Sequence, residues 1–336
     1  MVPKSLQLAP SAYHFFQSQC AKPAAIPQGT SLAGATAIVT GGNTGLGFQC
    51  AQSLLDLGLS RLIIAVRTPA KGEAAAATLR QRAKAATVDV WQVDMLSYDS
   101  ITAFAARCET LDRIDFAILN AGTVEEKFKL APQGHETMFQ VNYLSTVLLA
   151  TVLLPVLKRK APAGKPGRLT IVNSGTALMP RFDNAKTDPF LPYYDDESHF
   201  DATESYASSK ALAHFWIVKL AERVRAEDVV VNLVDPGLVK GTSLHRSLNF
   251  VFKAIFTAVK SMTGRTMEQG ASTFIDAAVV RGEETHGSYL MDWKIFAYNA
   301  AVYGSDGEAL RDRIWKETLS ALSFADIDGI LDSVSK

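Results

Sequence analysis

Ala35-Thr36-Ala37-Ile38-Val39-Thr40-Gly41-Gly42-Asn43-Thr44-Gly45-Leu46-Gly47 is the stretch on which the fold turns. Its first six residues are small or β-branched and apolar, which predicts a buried strand over 35–40. A glycine-rich turn follows at once, and a helical period opens at Leu46 and runs to Leu57. A strand ending in glycines at a helix N-terminus makes an anion site. Unpaired N–H groups and the helix dipole face the ligand, and missing Cβ atoms let the backbone approach it. Three residues separate Gly41 from Gly45 and one separates Gly45 from Gly47, so the spacing is not GxGxxG, and no P-loop Lys-Ser/Thr follows. Alone, such a turn is compatible with a structural role. Its place on the first strand of an alternating series favours a nucleotide.

That series continues along the chain. Residues 61–66 (RLIIAV), 87–92 (TVDVWQ), 115–119 (DFAIL), 169–172 (LTIV), 229–234 (VVVNLV) and 287–291 (GSYLM) read as six further strands. Helical periods occupy 46–57, 70–83, 98–107, 134–158 and 204–225 between them. Strands apolar on both faces, joined by helices, imply a parallel sheet covered on both sides. Right-handed crossovers then give a doubly wound, Rossmann-type α/β fold. No repeat of solenoid length divides the 336 residues. We expect one domain over 34–336, preceded by an N-terminal arm at 1–33. Extensions fall at 178–203 and, as a substrate-lid region, at about 236–336.

Composition excludes several classes. Lys+Arg and Asp+Glu balance at 34 each, so no net field draws in nucleic acid. Cys20, Cys50 and Cys108 lie far apart without CxxC spacing, against a disulfide scaffold or zinc site and in keeping with a cytoplasmic location. The histidines at 14, 135, 199, 214, 245 and 286 show no HExxH, and His214 reads as packed rather than catalytic. The carboxylate-rich segment 183–204 has no EF-hand spacing, so no metal is expected. Pro3, Pro10, Pro23 and Pro27 punctuate the arm, which has no signal-peptide core; 11–19 (SAYHFFQSQ) forms either one aromatic helical turn or a loose arm. The longest apolar run, 143–157, has 15 residues, short for a transmembrane segment.

The second strand ends at Arg67, where NAD-binding folds often place a carboxylate for the ribose 2′-hydroxyl. A cation there pairs with a 2′-phosphate instead, which points to NADP(H), with Asn43 and Lys71 as further phosphate contacts. The competing reading is a solvated arginine at a strand end. Downstream, Tyr206 and Lys210 stand four apart, on one face of a helix. A free phenol titrates near 10, and a neighbouring ammonium together with the cofactor's positive nicotinamide favours its phenolate, bringing it toward useful acid–base range.

Thr40-Gly41-x-x-x-Gly45-x-Gly47, Asn120-Ala121-Gly122, Tyr206-x-x-x-Lys210 and Pro236-Gly237 occur in this order. Together they resemble the short-chain dehydrogenase/reductase family over roughly 35–291. Trp91-Gln92-Val93-Asp94, the long Ser-to-Tyr interval and Gly241-Thr242-Ser243-Leu244 are similar to the retinol-dehydrogenase-like branch and to fungal biosynthetic members. The resemblance implies a tetrad. In it Tyr206 exchanges the proton with the substrate oxygen, Lys210 holds the nicotinamide ribose and Ser174 binds the substrate oxygen. Asn142 supports a water chain from Lys210. Where the family often has two serines this chain has Asn173-Ser174, and a shifted register brings Thr176 forward in place of Ser174. The resemblance further implies that Asp94 receives the adenine amino group and that Asn120 and Gly122 line its ribose. Pro236, Val239 and Thr242 would border the nicotinamide.

Three segments keep two readings each. The basic run Lys158-Arg159-Lys160 with Lys165 and Arg168 is a solvated loop or an anion contact. Phe190, Leu191, Tyr193 and Tyr194 are expected to border a substrate mouth. Residues 248–262 (LNFVFKAIFTAVKSM) are amphipathic, and read as a substrate lid, as core packing or as a membrane-surface helix. A lid lined by phenylalanines implies a bulky apolar substrate. The expected activity is NADP(H)-dependent interconversion of a carbonyl and an alcohol on a hydrophobic small molecule, in fungal secondary metabolism. Alternatives are a redox-neutral epimerase or dehydratase and a non-catalytic dinucleotide-binding protein. The two long helices admit a homodimer.

Overall fold

All seven β-branched runs form strands. The computed structural model describes residues 2–10, 18, 21–240 and 264–335. In chain order it holds β1 Thr36–Thr40, α1 Gly45–Asp56, β2 Arg61–Val66, α2 Pro69–Arg82, β3 Thr87–Gln92, α3 Tyr98–Cys108 and β4 Phe116–Leu119. Next come α4 Thr137–Arg159, β5 Gly167–Val172, α5 Ala202–Arg223 and β6 Val229–Val234. The C-terminal part adds α6 Met267–Ile275, β7 Tyr289–Met291, β8 Lys294–Phe296, α7 Gly304–Ala321 and α8 Ile327–Ser335.

The strand order is β3-β2-β1-β4-β5-β6-β7-β8. Neighbours pair in parallel from β3 through β7, and β8 closes the edge antiparallel to β7. The order reverses between β1 and β4. In doubly wound sheets a crevice opens there at the carboxyl ends of the strands.

The apolar run at 143–157 lies within a longer helix. Thr137–Arg159 spans 23 residues and is long and apolar enough to cross a membrane, yet 89% of its most apolar window is buried in the protein. Leu148, Leu149, Leu153, Leu154 and Leu157 are fully buried there. Each contributes roughly 1.5–3 kcal/mol by leaving water. α3 and α8 pack on α4, and α7 and α8 cover α5, so the C-terminal helices sit on the two long helices that admitted a homodimer.

Two expectations need correction. Phe190 and Leu191 do not border an open mouth: both are buried in the core, where Phe190 meets Phe182 and Tyr194. Their backbone N–H groups donate to the Glu317 carboxylate on α7 at 2.9 and 2.7 Å, which ties the excursion down. The basic run is likewise more than a solvated loop. Lys158 donates to the Val334 carbonyl at 2.8 Å and pairs with Asp228, Arg159 pairs with Glu109, and Arg168 bonds the Arg281 carbonyl.

The first residues of the arm are docked. Ser5 is buried, its Oγ accepts the Tyr289 N–H at 2.9 Å, and its carbonyl accepts the Tyr303 hydroxyl at 2.7 Å. The candidate turn at 11–19 lies, apart from Ser18, outside the described residues. So do Thr242, the rest of Gly241-Thr242-Ser243-Leu244 and the amphipathic segment 248–262.

Candidate active site

The glycine turn is built by close approach. Gly41 and Gly45 have φ of +65° and +56°, the left-handed region that favours glycine. Gly47 is required for a different reason: a Cβ there would lie 2.4 Å from the Gly41 carbonyl oxygen and 2.5 Å from Asn120 Nδ2. Asn120, at the end of β4, donates from Nδ2 to the Thr40 carbonyl at 2.9 Å, and Thr40 Oγ1 accepts the Ala121 N–H at 2.9 Å. These bonds lock the ends of β1 and β4 together at the switch point, so the amide nitrogen of Asn120 is used inside the protein. A Cβ on Gly45 would meet no atom within 4 Å, which leaves the α1 N-terminus open on that side.

Gly47→Ala is expected to push the turn apart, at about 1–3 kcal/mol. Thermal melting should drop by about 1.5–4 °C, and dinucleotide affinity should fall. An unchanged melting point with unchanged NADPH titration would contradict this packing.

Beside the turn, a cleft of about 320 Å³ is lined by Asn43, Thr44, Phe48, Lys71, Ala74 and Ala75. It brings together Asn43 of the turn and Lys71 of α2, which the sequence reading had grouped. Arg67 is exposed directly after β2, and neither Arg67 nor Lys71 has an ion-pair partner among the described residues. Asp94 caps its own loop, its Oδ1 accepting the Leu96 N–H at 3.0 Å. Leu46 and Val239 both face α6, where a Cβ on Gly270 would sit 2.8 and 2.6 Å from their side chains. Pro236 accepts a bond from the buried Arg265 at 3.1 Å.

The catalytic candidates converge from three elements, α4, the end of β5 and α5. Lys210, on α5, is 8% exposed, and its Nζ donates to the Val172 carbonyl at the end of β5 at 3.0 Å. Burial alone lowers its pKa from 10.5 to about 8. Asn142 lies in a π-helical turn, Gln140–Leu144, within α4. Its Oδ1 accepts the Thr123 N–H at 2.9 Å, and its Nδ2 donates to the Thr123 carbonyl at 2.9 Å and to Ser209 Oγ at 3.1 Å. Gly122 sits between the two: a Cβ there would be 3.0 Å from Asn142 Oδ1 and 3.4 Å from Lys210 Nζ.

Ser174 follows β5 and caps a 3₁₀ turn, Gly175–Leu178. It neighbours the Tyr206 phenol closely enough to lower its pKa. In the protein alone the phenol shifts upward. Burial pushes the phenol up to about 12, while Ser174 pulls it back and the Asp235 carboxylate raises it further. Desolvation is the largest of these causes. Phenolate formation therefore depends on charge brought into the site.

Two residues of this region escaped the sequence reading. Asp235, next to the Pro236-Gly237 pair, is buried, accepts the Gly175 N–H at 2.8 Å, and is raised by burial to about 6. Thr123 anchors Asn142 entirely through its backbone, so its side-chain type carries no signal. His214 is buried, accepts the Asn299 N–H at 3.0 Å and is held neutral by burial, which lowers its pKa to about 3. Buried Cys50 and Cys108 are free thiols, both pushed up by burial, Cys108 to about 12. No group of three or more His, Cys, Asp or Glu able to hold a metal occurs among the described residues.

The topology defines a doubly wound α/β protein, and the candidate residues gather at the carboxyl ends of its strands. A model of the short chain dehydrogenase family matches residues 35–186. The chain is 46% identical to the short chain dehydrogenase/reductase mfmJ of Annulohypoxylon moriforme, over 98% of each chain. It is 41% identical to the short chain dehydrogenase virL of Hypocrea virens, over 96% of this chain and 95% of that one. Among solved structures, Pseudomonas aeruginosa RhlG in an active-site complex with NADP is similar, with a TM-score of 0.58, 25% identity, and 78% of this chain and 95% of that one covered. This chain belongs to the short-chain dehydrogenase/reductase family, a family of oxidoreductases.

Proposed function

We propose that the chain is an NADP(H)-dependent oxidoreductase that interconverts a carbonyl and an alcohol on a hydrophobic small molecule, in fungal secondary metabolite biosynthesis. The observation that carries this reading is the meeting of Ser174, Tyr206, Lys210 and Asn142 at the strand ends beside an open glycine turn. The fungal relatives support the setting. The free cysteines are in keeping with a cytoplasmic location.

The residues present fit a dinucleotide. Gly45 leaves the α1 N-terminus open for a pyrophosphate, Gly122 leaves the ends of β4 and α4 uncrowded, and Asn43 and Lys71 share a cleft next to Arg67. When bound, the cofactor supplies or accepts a hydride at the substrate carbon. Everything else falls to this chain. Ser174 Oγ–H donates to the substrate oxygen and fixes its position. In reduction, Tyr206 Oη gives its proton to that oxygen as negative charge builds on it, and in oxidation Tyr206 takes the proton back. Lys210, buried and tied to Val172, is placed to bond the nicotinamide ribose and to stabilise the phenolate left behind. Asn142, tethered to Thr123 and Ser209, holds the path by which Lys210 is reprotonated.

The preference for NADP(H) rests on Arg67. Charge-assisted bonds to a 2′-phosphate are worth about 1.5–3 kcal/mol, or about 10- to 150-fold in affinity. Arg67→Ala should therefore weaken NADPH at least about tenfold in a fluorescence titration. NADH should change by no more than about twofold. Equal losses for both cofactors would remove the 2′-phosphate assignment.

A further inference from the structure

We propose that Thr176 is a positioning residue that turns the Ser174 hydroxyl into a one-way donor aimed at the substrate oxygen. The inference rests on the reading of Ser174 given above and makes Thr176 its support rather than its replacement.

A serine hydroxyl has one proton to give and two lone pairs with which to accept. Thr176 addresses both lone pairs: its Oγ1–H donates to Ser174 Oγ at 2.9 Å and its backbone N–H donates to the same oxygen at 3.3 Å. With both acceptor positions engaged, Ser174 has only its proton left to place. Ser174 lowers the pKa of the neighbouring Tyr206 phenol, the direction expected of a donor. A substrate carbonyl entering between the two hydroxyls meets a proton already pointed at it, so no hydroxyl rotation is needed as charge develops.

The surrounding loop leaves the serine little freedom. The Ser174 N–H donates to Asn173 Oδ1 at 2.7 Å, and Asn173 Nδ2 donates to the Lys210 carbonyl at 3.1 Å. Gly175 N–H is held by Asp235 at 2.8 Å. Backbone position is thus set by Asn173 and Asp235, and hydroxyl direction by Thr176. Asn173 also ties the Ser174 loop to the backbone of the helix that carries Tyr206 and Lys210.

Thr176→Val keeps the shape and the backbone donor and deletes only the hydroxyl. One lone pair of Ser174 is released, and its proton is no longer committed. The test is a double-mutant cycle with Ser174→Ala. It is read with NADPH and the fastest substrate from a panel of aromatic ketones, quinones and aldehydes, with melting points recorded for every variant. Thr176→Val should lower kcat about 3- to 10-fold, the worth of one hydrogen bond, and leave the KM for NADPH unchanged. Thr176→Ser should restore kcat to within about twofold of wild type. On the Ser174→Ala background, Thr176→Val should add nothing. Should the valine variant not fold, Thr176→Ala makes the same deletion.

Three outcomes overturn the inference. If Thr176→Val keeps wild-type kcat while Ser174→Ala loses activity, Thr176 has no positioning role and the reading of Ser174 survives. If the valine variant adds its full loss to Ser174→Ala, Thr176 acts independently of the serine. If Ser174→Ala remains active, or wild type turns over no panel member, the reading beneath the inference falls with it.

Discussion

Tyr206→Phe is expected to lower kcat by about 10²- to 10⁴-fold, the range for loss of a general acid, with NADPH affinity retained. The substitution removes one oxygen. The ring stays in place on α5, and the backbone bonds that position Ser174 are unchanged. Because burial holds this phenol at about 12 in the protein alone, its proton is firmly bound at neutral pH and available to an oxygen that is becoming an alkoxide. Turnover within a few-fold of wild type, with cofactor binding intact, would take Tyr206 out of the proton transfer.

Lys210→Met should be nearly as damaging to turnover, yet should not cost stability at pH 7. A buried ammonium whose pKa is lowered from 10.5 to about 8 is disfavoured by the fold. The linked penalty is at most about 3 kcal/mol, partly offset by the bond to Val172. The direction with pH follows from linkage. Below about 8 the lysine is charged in both folded and unfolded chains, and the fold bears the whole penalty. Between about 8 and 10.5 the unfolded chain holds the proton that the folded chain has released, so stability rises with pH; above 10.5 the penalty is gone. Methionine carries no such term. Its melting point should therefore equal or exceed that of wild type at pH 7, and the gap should close toward pH 10. A methionine variant markedly less stable than wild type at pH 7 would show that the Val172 bond, and not desolvation, dominates at this position.

The seven parallel strands could be read from apolar runs because a parallel sheet covered on both faces admits few polar side chains. The eighth could not. Lys294–Phe296 has three residues, and the turn that returns the chain uses Asp292 and Trp293, both at positive φ (55° and 56°), where a hairpin normally advertises itself with Asn-Gly or Asp-Gly. Tertiary contacts hold Trp293 there: its Nε1 donates to Ser272 at 3.1 Å, and the Arg265 guanidinium lies 4.5 Å over its ring. The helix α6 did leave a signal, Thr266 three residues before Gln269, which forms a reciprocal capping box.

Within the candidate site, motifs pointed to residues that follow strands, and the groups that hold those residues in place carry no motif. Asp235 works by a side chain buried behind a loop, Thr123 by its backbone, and the π turn around Asn142 by one extra residue in a helix that looks regular in sequence. Docking of Ser5 onto Tyr289 joins residues 284 apart, with no local pattern to announce it. Phe190 and Leu191 looked like a rim because their neighbours are acidic, and the Glu317 carboxylate that draws them inward lies far along the chain.

The most direct measurement follows a hydrogen atom. The protein is given NADPH deuterated at C4 on the transferred face and the best carbonyl of the panel, and the alcohol is examined by mass spectrometry and NMR. One deuterium on the carbinol carbon, lost together with turnover in Tyr206→Phe, is the predicted result. Product formed with no deuterium at that carbon, or turnover that consumes no NADPH, would contradict hydride transfer at this site.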